Sequence, residues 1–181
     1  MLIHRVASAA ILIPLIALVV YLGSWPLLLV ILLVVLLAGH EYIVMMRTLD
    51  LSPSALLFFP FAALLVADAY WPSLDLVRIG VLAFVLSILV VEIFHRNRPG
   101  SLFGWAVAVS GAIYIGHSLS YFVRLRGLDD GIAWVALTLL GTWISDTGAY
   151  FVGSAMGRHR LARHISPKKS WEGVWGGLAT G

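Results

Sequence analysis

Charged residues, prolines and glycines divide this chain into long apolar runs. The runs extend approximately from Val6 to Leu22, Pro26 to Met46, Ser54 to Tyr70, Leu76 to Phe94, Leu102 to Val123 and Ile132 to Val152. About 20 apolar residues cross a hydrocarbon layer of roughly 30 Å as a helix, so each run predicts a membrane-spanning helix. Leu27 to Leu37 is continuously apolar, which excludes the strict alternation of an outer-membrane barrel strand. Pro14 and the many β-branched residues do not argue against helix, because in lipid the backbone must satisfy its own hydrogen bonds. The first run follows His4 and Arg5, but no small-x-small cleavage site comes after it, so it reads as a retained helix. A last apolar segment, Gly173 to Gly181, reaches only about 13 Å at ~1.5 Å per residue. The expected fold is an all-α, polytopic transmembrane helix bundle with six complete spans and the start of a seventh. It reads as a single transmembrane domain over 1-181, the N-terminal portion of a longer protein.

Composition agrees with that pattern. The chain is 61% hydrophobic and 12% charged with a mean hydropathy of +0.98, outside the range of soluble domains. It has no cysteine, which removes disulfides, thiolate metal sites, iron-sulfur clusters and a cysteine nucleophile. Any chemistry falls to Asp, Glu, His, Lys, Arg, Ser or the backbone. The net charge of +3 matters less than its placement. With the N-terminus in the cytoplasm, Arg5, Arg47, Arg96, Arg98, Arg158, Arg160, Arg163, Lys168 and Lys169 lie inside, against Arg78, Arg124 and Arg126 outside. That asymmetry predicts a cytoplasmic N-terminus and puts the basic stretch after the sixth run in the cytoplasm. There is no nucleic-acid motif.

Asp146 stands out because it places a carboxylate inside an apolar run, about 9 Å from its expected cytoplasmic end. A charge near a helix centre costs roughly 2.5 to 3.5 kcal/mol on insertion scales, so such residues usually have a partner or an ion. The bland alternative is hydrogen bonding to Thr142, Ser145 or a neighbouring helix. Gly141, Ser145, Ala149, Gly153 and Gly157 recur every four residues on the same helix and predict a smooth ridge for close helix packing.

Beyond that helix, G-R-H-R-L-A-R-H-I-S-P-K-K-S-W-E-G runs from Gly157 to Gly173. The charge alone is equally a topology signal or a surface for anionic lipids. The order of residues adds more. Ser166-Pro167 favours a turn, Lys168 and Lys169 supply compact cations for phosphate, and Ser170 with Glu172 is fit to begin a helix whose N-terminal amides favour anions. A carboxylate for a divalent cation near lysines for phosphate suits phosphoryl or nucleotidyl transfer. Neither a P-loop nor a dinucleotide-binding glycine motif is present.

Three segments carry a resemblance: S-D-T-G-A-Y-F-V-G from Ser145, G-R-H-R from Gly157 and I-S-P-K-K-S-W-E-G from Ile165. Together they closely resemble the phosphatidate cytidylyltransferase (CDP-diacylglycerol synthase) family. His4-Arg5, Pro14 and Glu41-Tyr42 are also similar to that family's N-terminal region. The resemblance implies a multi-pass bundle, often a homodimer, in a bacterial inner membrane, making CDP-diacylglycerol and pyrophosphate from CTP and phosphatidic acid with Mg2+. It places Asp146 as metal ligand, Lys168, Lys169 and Glu172 as the catalytic group, and Ser166, Lys168, Lys169, Ser170 and Arg158 as substrate-binding residues. The family's C-terminal signature, whose aspartates are expected to bind metal, is not in these 181 residues, so the chain by itself is expected to insert into membranes without making CDP-diacylglycerol.

Two other functions fit parts of the pattern. A CTP-dependent polyprenol or phytol kinase has a similar Asp and K-K-S-x-E-G arrangement, and would release CDP in place of pyrophosphate. An ion-coupled transporter would use Asp146 as its coupling site, but paired broken helices are not apparent. Glu41 and Glu92 read as snorkelling side chains near helix ends. His117 reads as a helix-helix hydrogen bonder, Trp25, Trp71 and Tyr121 as interfacial anchors, and Asp68, Asp75, Asp129 and Asp130 as solvated loop carboxylates.

Overall fold

The computed structural model describes residues 2–95, 101–162 and 166–181. Arg96, Arg98, Arg163 and Ile165 lie outside the described residues, as do the side chains of His4, Arg5 and Glu92. The chain is mostly helical and divides into two compact units, Met1–Gly131 and Ile132–Gly181.

The first unit contains α1 (Leu2–Leu22), α2 (Ser24–Arg47), α3 (Ala55–Tyr70), a 3-10 turn (Pro72–Leu74), α4 (Leu76–His95) and α5 (Ser101–Ala112). α5 continues through a π-helical turn, Ile113–His117, into α6 (Ser118–Arg126). These elements follow the apolar runs closely. By length and composition, two helices among the described residues are long and apolar enough to cross a membrane, Ser24–Arg47 and Phe103–Arg126. α3 has 16 residues, about 24 Å at the helical rise, shorter than the roughly 30 Å hydrocarbon layer.

α3 is the hub of this unit, packing on α2, α4, α5, the π turn and α6. Phe58, Ala62, Leu65 and Val66 fill its contacts and are buried. Small residues on the neighbours let the backbones approach, since helices in lipid associate through close packing rather than through expulsion of water. A Cβ at Gly116 would lie 2.8 Å from the Ala62 Cα, and one at Gly39 would enter the Phe58 ring. Gly116 lies within the π turn, which packs on α3.

The second unit contains α7 (Gly131–Met156) from Ile132 onward, β1 (Arg160–Ala162), β2 (Ser166–Ser170) and α8 (Trp171–Thr180). α7 continues four residues beyond the expected end at Val152. At ~1.5 Å per residue, Asp146 is therefore about 15 Å from the end of α7 rather than about 9 Å. Ser166-Pro167 does not form the expected turn: it opens β2, which pairs antiparallel with β1. Proline is tolerated because each strand of a two-stranded ribbon has an unpaired edge.

Candidate active site

The scaffold of the site is the contact between α7 and α8. The small-residue ridge on α7 meets a second small stripe, Gly173, Gly177 and Gly181, running along α8 in the opposite direction. A Cβ at Gly173 would fall 2.9 Å from the Ala149 carbonyl oxygen and 3.2 Å from the Gly153 Cα. One at Gly177 would meet the Ser145 carbonyl at 3.1 Å, and one at Gly181 the Gly141 carbonyl at 3.1 Å. Successive contacts step four residues along each helix, the geometry expected when glycine lets backbones touch. The Ser145 hydroxyl donates to Gly177 O at 3.0 Å, and Thr180 Oγ1 reaches Ile144 O at 3.3 Å.

Ser170 fixes the start of α8. Its extended backbone ends β2, and its hydroxyl accepts from the Gly173 amide at 3.2 Å as an N-cap. The side chain is buried beside Gly153 and Gly157 of the α7 end, where any larger residue on α7 would displace it. The helix start expected from Ser170 and Glu172 is therefore present, and the Ser170 hydroxyl is engaged in it.

The hairpin displays the lysines. Arg160 pairs with Ser170 and Ala162 with Ser166, which leaves Pro167, Lys168 and Lys169 opposite Leu161 alone. This bulge pushes the surplus residues outward, and Pro167, Lys168 and Lys169 are all exposed. Arg160 Nη1 donates to Lys168 O at 3.3 Å, holding the lysine backbone across the bulge. Arg158 is exposed just before β1, and Ser166 is half-buried at the start of β2.

Glu172 lies in the first turn of α8 and closes the base of the hairpin. Both its carboxylate oxygens accept from the His159 amide at 3.2 Å, and Oε1 meets His159 Nδ1 at 2.7 Å. The Trp171 amide donates back to His159 O at 2.9 Å. The carboxyl is held down at about 2, from an ordinary 4.5, first by its own backbone amide and next by the His159 side chain. Desolvation opposes this, and the amides of His159 and Arg158 add to it. His159 is the site residue that sequence reasoning passed over. Its signal was the third position of G-R-H-R, which carries no distinctive spacing of its own.

Asp146 is exposed on α7, and its carboxylate makes no hydrogen bond or ion pair among the described residues. The bland alternatives are taken: Thr142 donates to Thr138 O at 2.8 Å and Ser145 to Gly177 O. Among the described residues, no group of three metal-ligating side chains occurs. A lone, unpaired carboxylate suits Mg2+, which is usually held by one or two carboxylates together with substrate phosphates and water.

Among the other polar residues of the first unit, Asp68 departs from expectation. Asp68 is not a solvated loop carboxylate but is buried, 7% exposed. It accepts from Arg124 Nη2 at 2.9 Å and from the Val77 amide at 3.1 Å. Arg126 donates to Val20 O at 2.7 Å and Tyr21 O at 3.2 Å, satisfying carbonyls that the end of α1 leaves without partners. His117 stands edge-on to Tyr121 with ring centroids 5.1 Å apart. Trp25, Tyr70 and Trp71 form an aromatic cluster, and Glu41 is exposed.

The cytidylyltransferase family model matches residues 3–181. The chain belongs to the cytidylyltransferase family. Among curated relatives, the phosphatidate cytidylyltransferase of Bacillus subtilis is 35% identical over 98 residues, 54% of this chain and 34% of that protein. That of Staphylococcus epidermidis is 33% identical over 99 residues, 55% of this chain and 37% of the relative. That of Pseudomonas aeruginosa is 33% identical over 124 aligned residues, 54% of this chain and 46% of the relative. The chain thus aligns with between a third and a half of the length of these relatives. No solved structure matches it. Bacterial relatives with this name, together with the two long apolar helices, are consistent with a membrane protein.

Proposed function

We propose that this chain carries part of the active site of a CTP:phosphatidate cytidylyltransferase in the bacterial inner membrane. The observation that carries the reading is the hairpin, which presents Lys168 and Lys169 on a bulge fixed to the start of α8. In the reaction, a phosphate oxygen of phosphatidic acid attacks the α-phosphorus of CTP. The bond to the β-phosphate bridging oxygen breaks, releasing pyrophosphate and forming CDP-diacylglycerol.

Lys168 and Lys169 supply positive charge for the triphosphate, with Arg158 and Ser166 beside them as further substrate contacts. Ser170 contributes by capping α8 at the hairpin's end. Asp146 lies about three helical turns from the end of α7, the end to which the hairpin is tied through His159. When bound, Mg2+ would neutralise phosphate charge, and Asp146 would hold it.

The same reading takes α1 to α4, the continuous α5 and α6, and α7 as six spans, with α8 beginning a seventh. The N-terminus and the hairpin face the cytoplasm, and the family resemblance supports a homodimer. Because no metal-binding cluster accompanies Asp146 among the described residues, CTP binding is the primary readout for this chain. Titration in lipid nanodiscs should show CTP binding that Mg2+ strengthens; no binding at any magnesium concentration would overturn the proposal. Product analysis on a protein extended through the family's C-terminal signature separates the chemistry: pyrophosphate release with phosphatidic acid supports the cytidylyltransferase, whereas CDP release with a polyprenol as acceptor would identify a kinase.

A further inference from the structure

The contacts of Glu172 point away from proton transfer. A general acid or base must exchange a proton with the reacting groups, and it works best when its affinity for protons matches the operating pH. Here the carboxylate accepts from the His159 amide and sits 2.7 Å from the His159 ring nitrogen. It also lies in the first turn of α8, where the helix end favours negative charge. These contacts tie together three pieces: the exit from α7, the first strand and the helix that follows the second. The Trp171 amide and His159 carbonyl extend the ladder on the other side of the same residue. Between these ties lie the bulge and its two lysines.

Resting on the CTP-using reading above, we propose that His159 and Glu172 form a positioning clamp, which sets the hairpin so that Lys168 and Lys169 meet the triphosphate together. Neither residue needs to touch substrate. With the clamp open, the lysines keep their charge but lose their fixed spacing, so nucleotide affinity falls although the cations remain. The clamp also assigns a role to the histidine of G-R-H-R: its amide and ring nitrogen form a two-pronged donor to one carboxylate. The prong through the ring nitrogen requires hydrogen on Nδ1.

Two measurements on the complete chain in nanodiscs test the clamp. The first is magnesium-dependent CTP affinity in Glu172→Ala, Glu172→Gln, His159→Ala, His159→Asn and the double alanine variant. Glutamine retains an acceptor for the His159 amide, and asparagine retains a donor near the position of Nδ1. Glu172→Ala, which opens both prongs, should weaken CTP binding by about tenfold and the double variant no further; His159→Ala, which keeps the backbone prong, should weaken it by less, and the glutamine and asparagine variants by less than about threefold. The second is hydrogen exchange at the His159 and Trp171 amides, which should accelerate in the alanine variants without CTP present.

Additive losses from the two alanine substitutions, or equal losses from Glu172→Gln and Glu172→Ala with both amides still protected, would overturn the clamp and return Glu172 to direct chemistry. Unchanged exchange at both amides in Glu172→Ala would overturn it as well. If wild-type protein binds no CTP while the amides respond as expected, the functional reading fails and the positioning role with it, leaving only a hairpin brace. The exchange data therefore separate a failed clamp from a failed function.

Discussion

Asp68 and Asp146 are both aspartates in helices of strongly apolar sequence, one in each compact unit, and the structure treats them oppositely. Asp68 is enclosed, with Arg124 and the Val77 amide on its two oxygens. Asp146 is exposed, and the hydroxyls of its neighbours Ser145 and Thr147 donate to Gly177 O and Trp143 O. A buried charge must be paired where it sits, so the first aspartate is committed to holding α3, α4 and α6 together. An unpaired carboxylate keeps its capacity for a ligand. An acidic residue in an apolar run is therefore informative only when its partners are known.

The sharpest way to break this comparison is to neutralise both aspartates while keeping their shape. Asp146→Asn should remove the magnesium-dependent part of CTP binding, a loss of about a hundredfold or roughly 2.7 kcal/mol. Its thermal unfolding in detergent should remain unchanged within about 0.5 kcal/mol. A variant that binds CTP and magnesium normally would end the assignment of Asp146 as the ion's ligand.

Asp68→Asn should behave in reverse. Removing its charge leaves Arg124 without its partner, and unfolding in detergent should show a loss of about 1–3 kcal/mol, moderated because Arg124 reaches partly to solvent. CTP affinity of the folded fraction should stay near wild type. A stable Asp68→Asn protein with lost CTP binding would exchange the two roles.

Replacing both Lys168 and Lys169 with Gln should weaken CTP binding by about tenfold, with the difference shrinking as salt is raised. Arg124 and Arg126 make poor controls, since each is bound to structure. Arg78 is the better one, with its side chain 80% exposed and only a 3.9 Å contact to Asp75. Equal losses from Arg78→Gln would make the lysine effect one of general charge.

The smallest expected effect is on acidity. The Glu172 carboxyl is lowered from 4.5 to about 2, so its contribution to folding is complete above about 4.5. It is lost as pH falls through about 2, where the folded form also takes up the proton. Protection of the His159 amide should be level from neutral pH down to about 4.5 and decline below it. A decline already complete at pH 6 would assign the control to another group.

Much of this was legible in order and composition. Unbroken apolar runs predict helices because a backbone in lipid has few other ways to satisfy its hydrogen bonds, and helix boundaries fall within four residues of the run ends. Small residues spaced by four, Gly141, Ser145, Ala149 and Gly153, marked the contacting face of α7 for a similarly local reason. The motifs around Asp146 and Lys168 directed attention to the second unit. The sequence could not show that Gly173, Gly177 and Gly181 form the matching stripe, because complementarity belongs to two helices and periodicity to one.

Tertiary structure alone decided the fate of the polar side chains. Asp68 and Arg124 are 56 positions apart in sequence, and no local pattern links a carboxylate to a guanidinium at that distance. Ser166-Pro167 became strand rather than turn because an antiparallel partner supplied hydrogen bonds that local preference does not count. Glu172 meets His159, 13 positions away, because folding returned the chain to the end of α7. Helical character follows from nearest-neighbour geometry and the solvent, whereas pairing depends on which distant residues the fold brings within about 3 Å, the range in which a hydrogen bond forms.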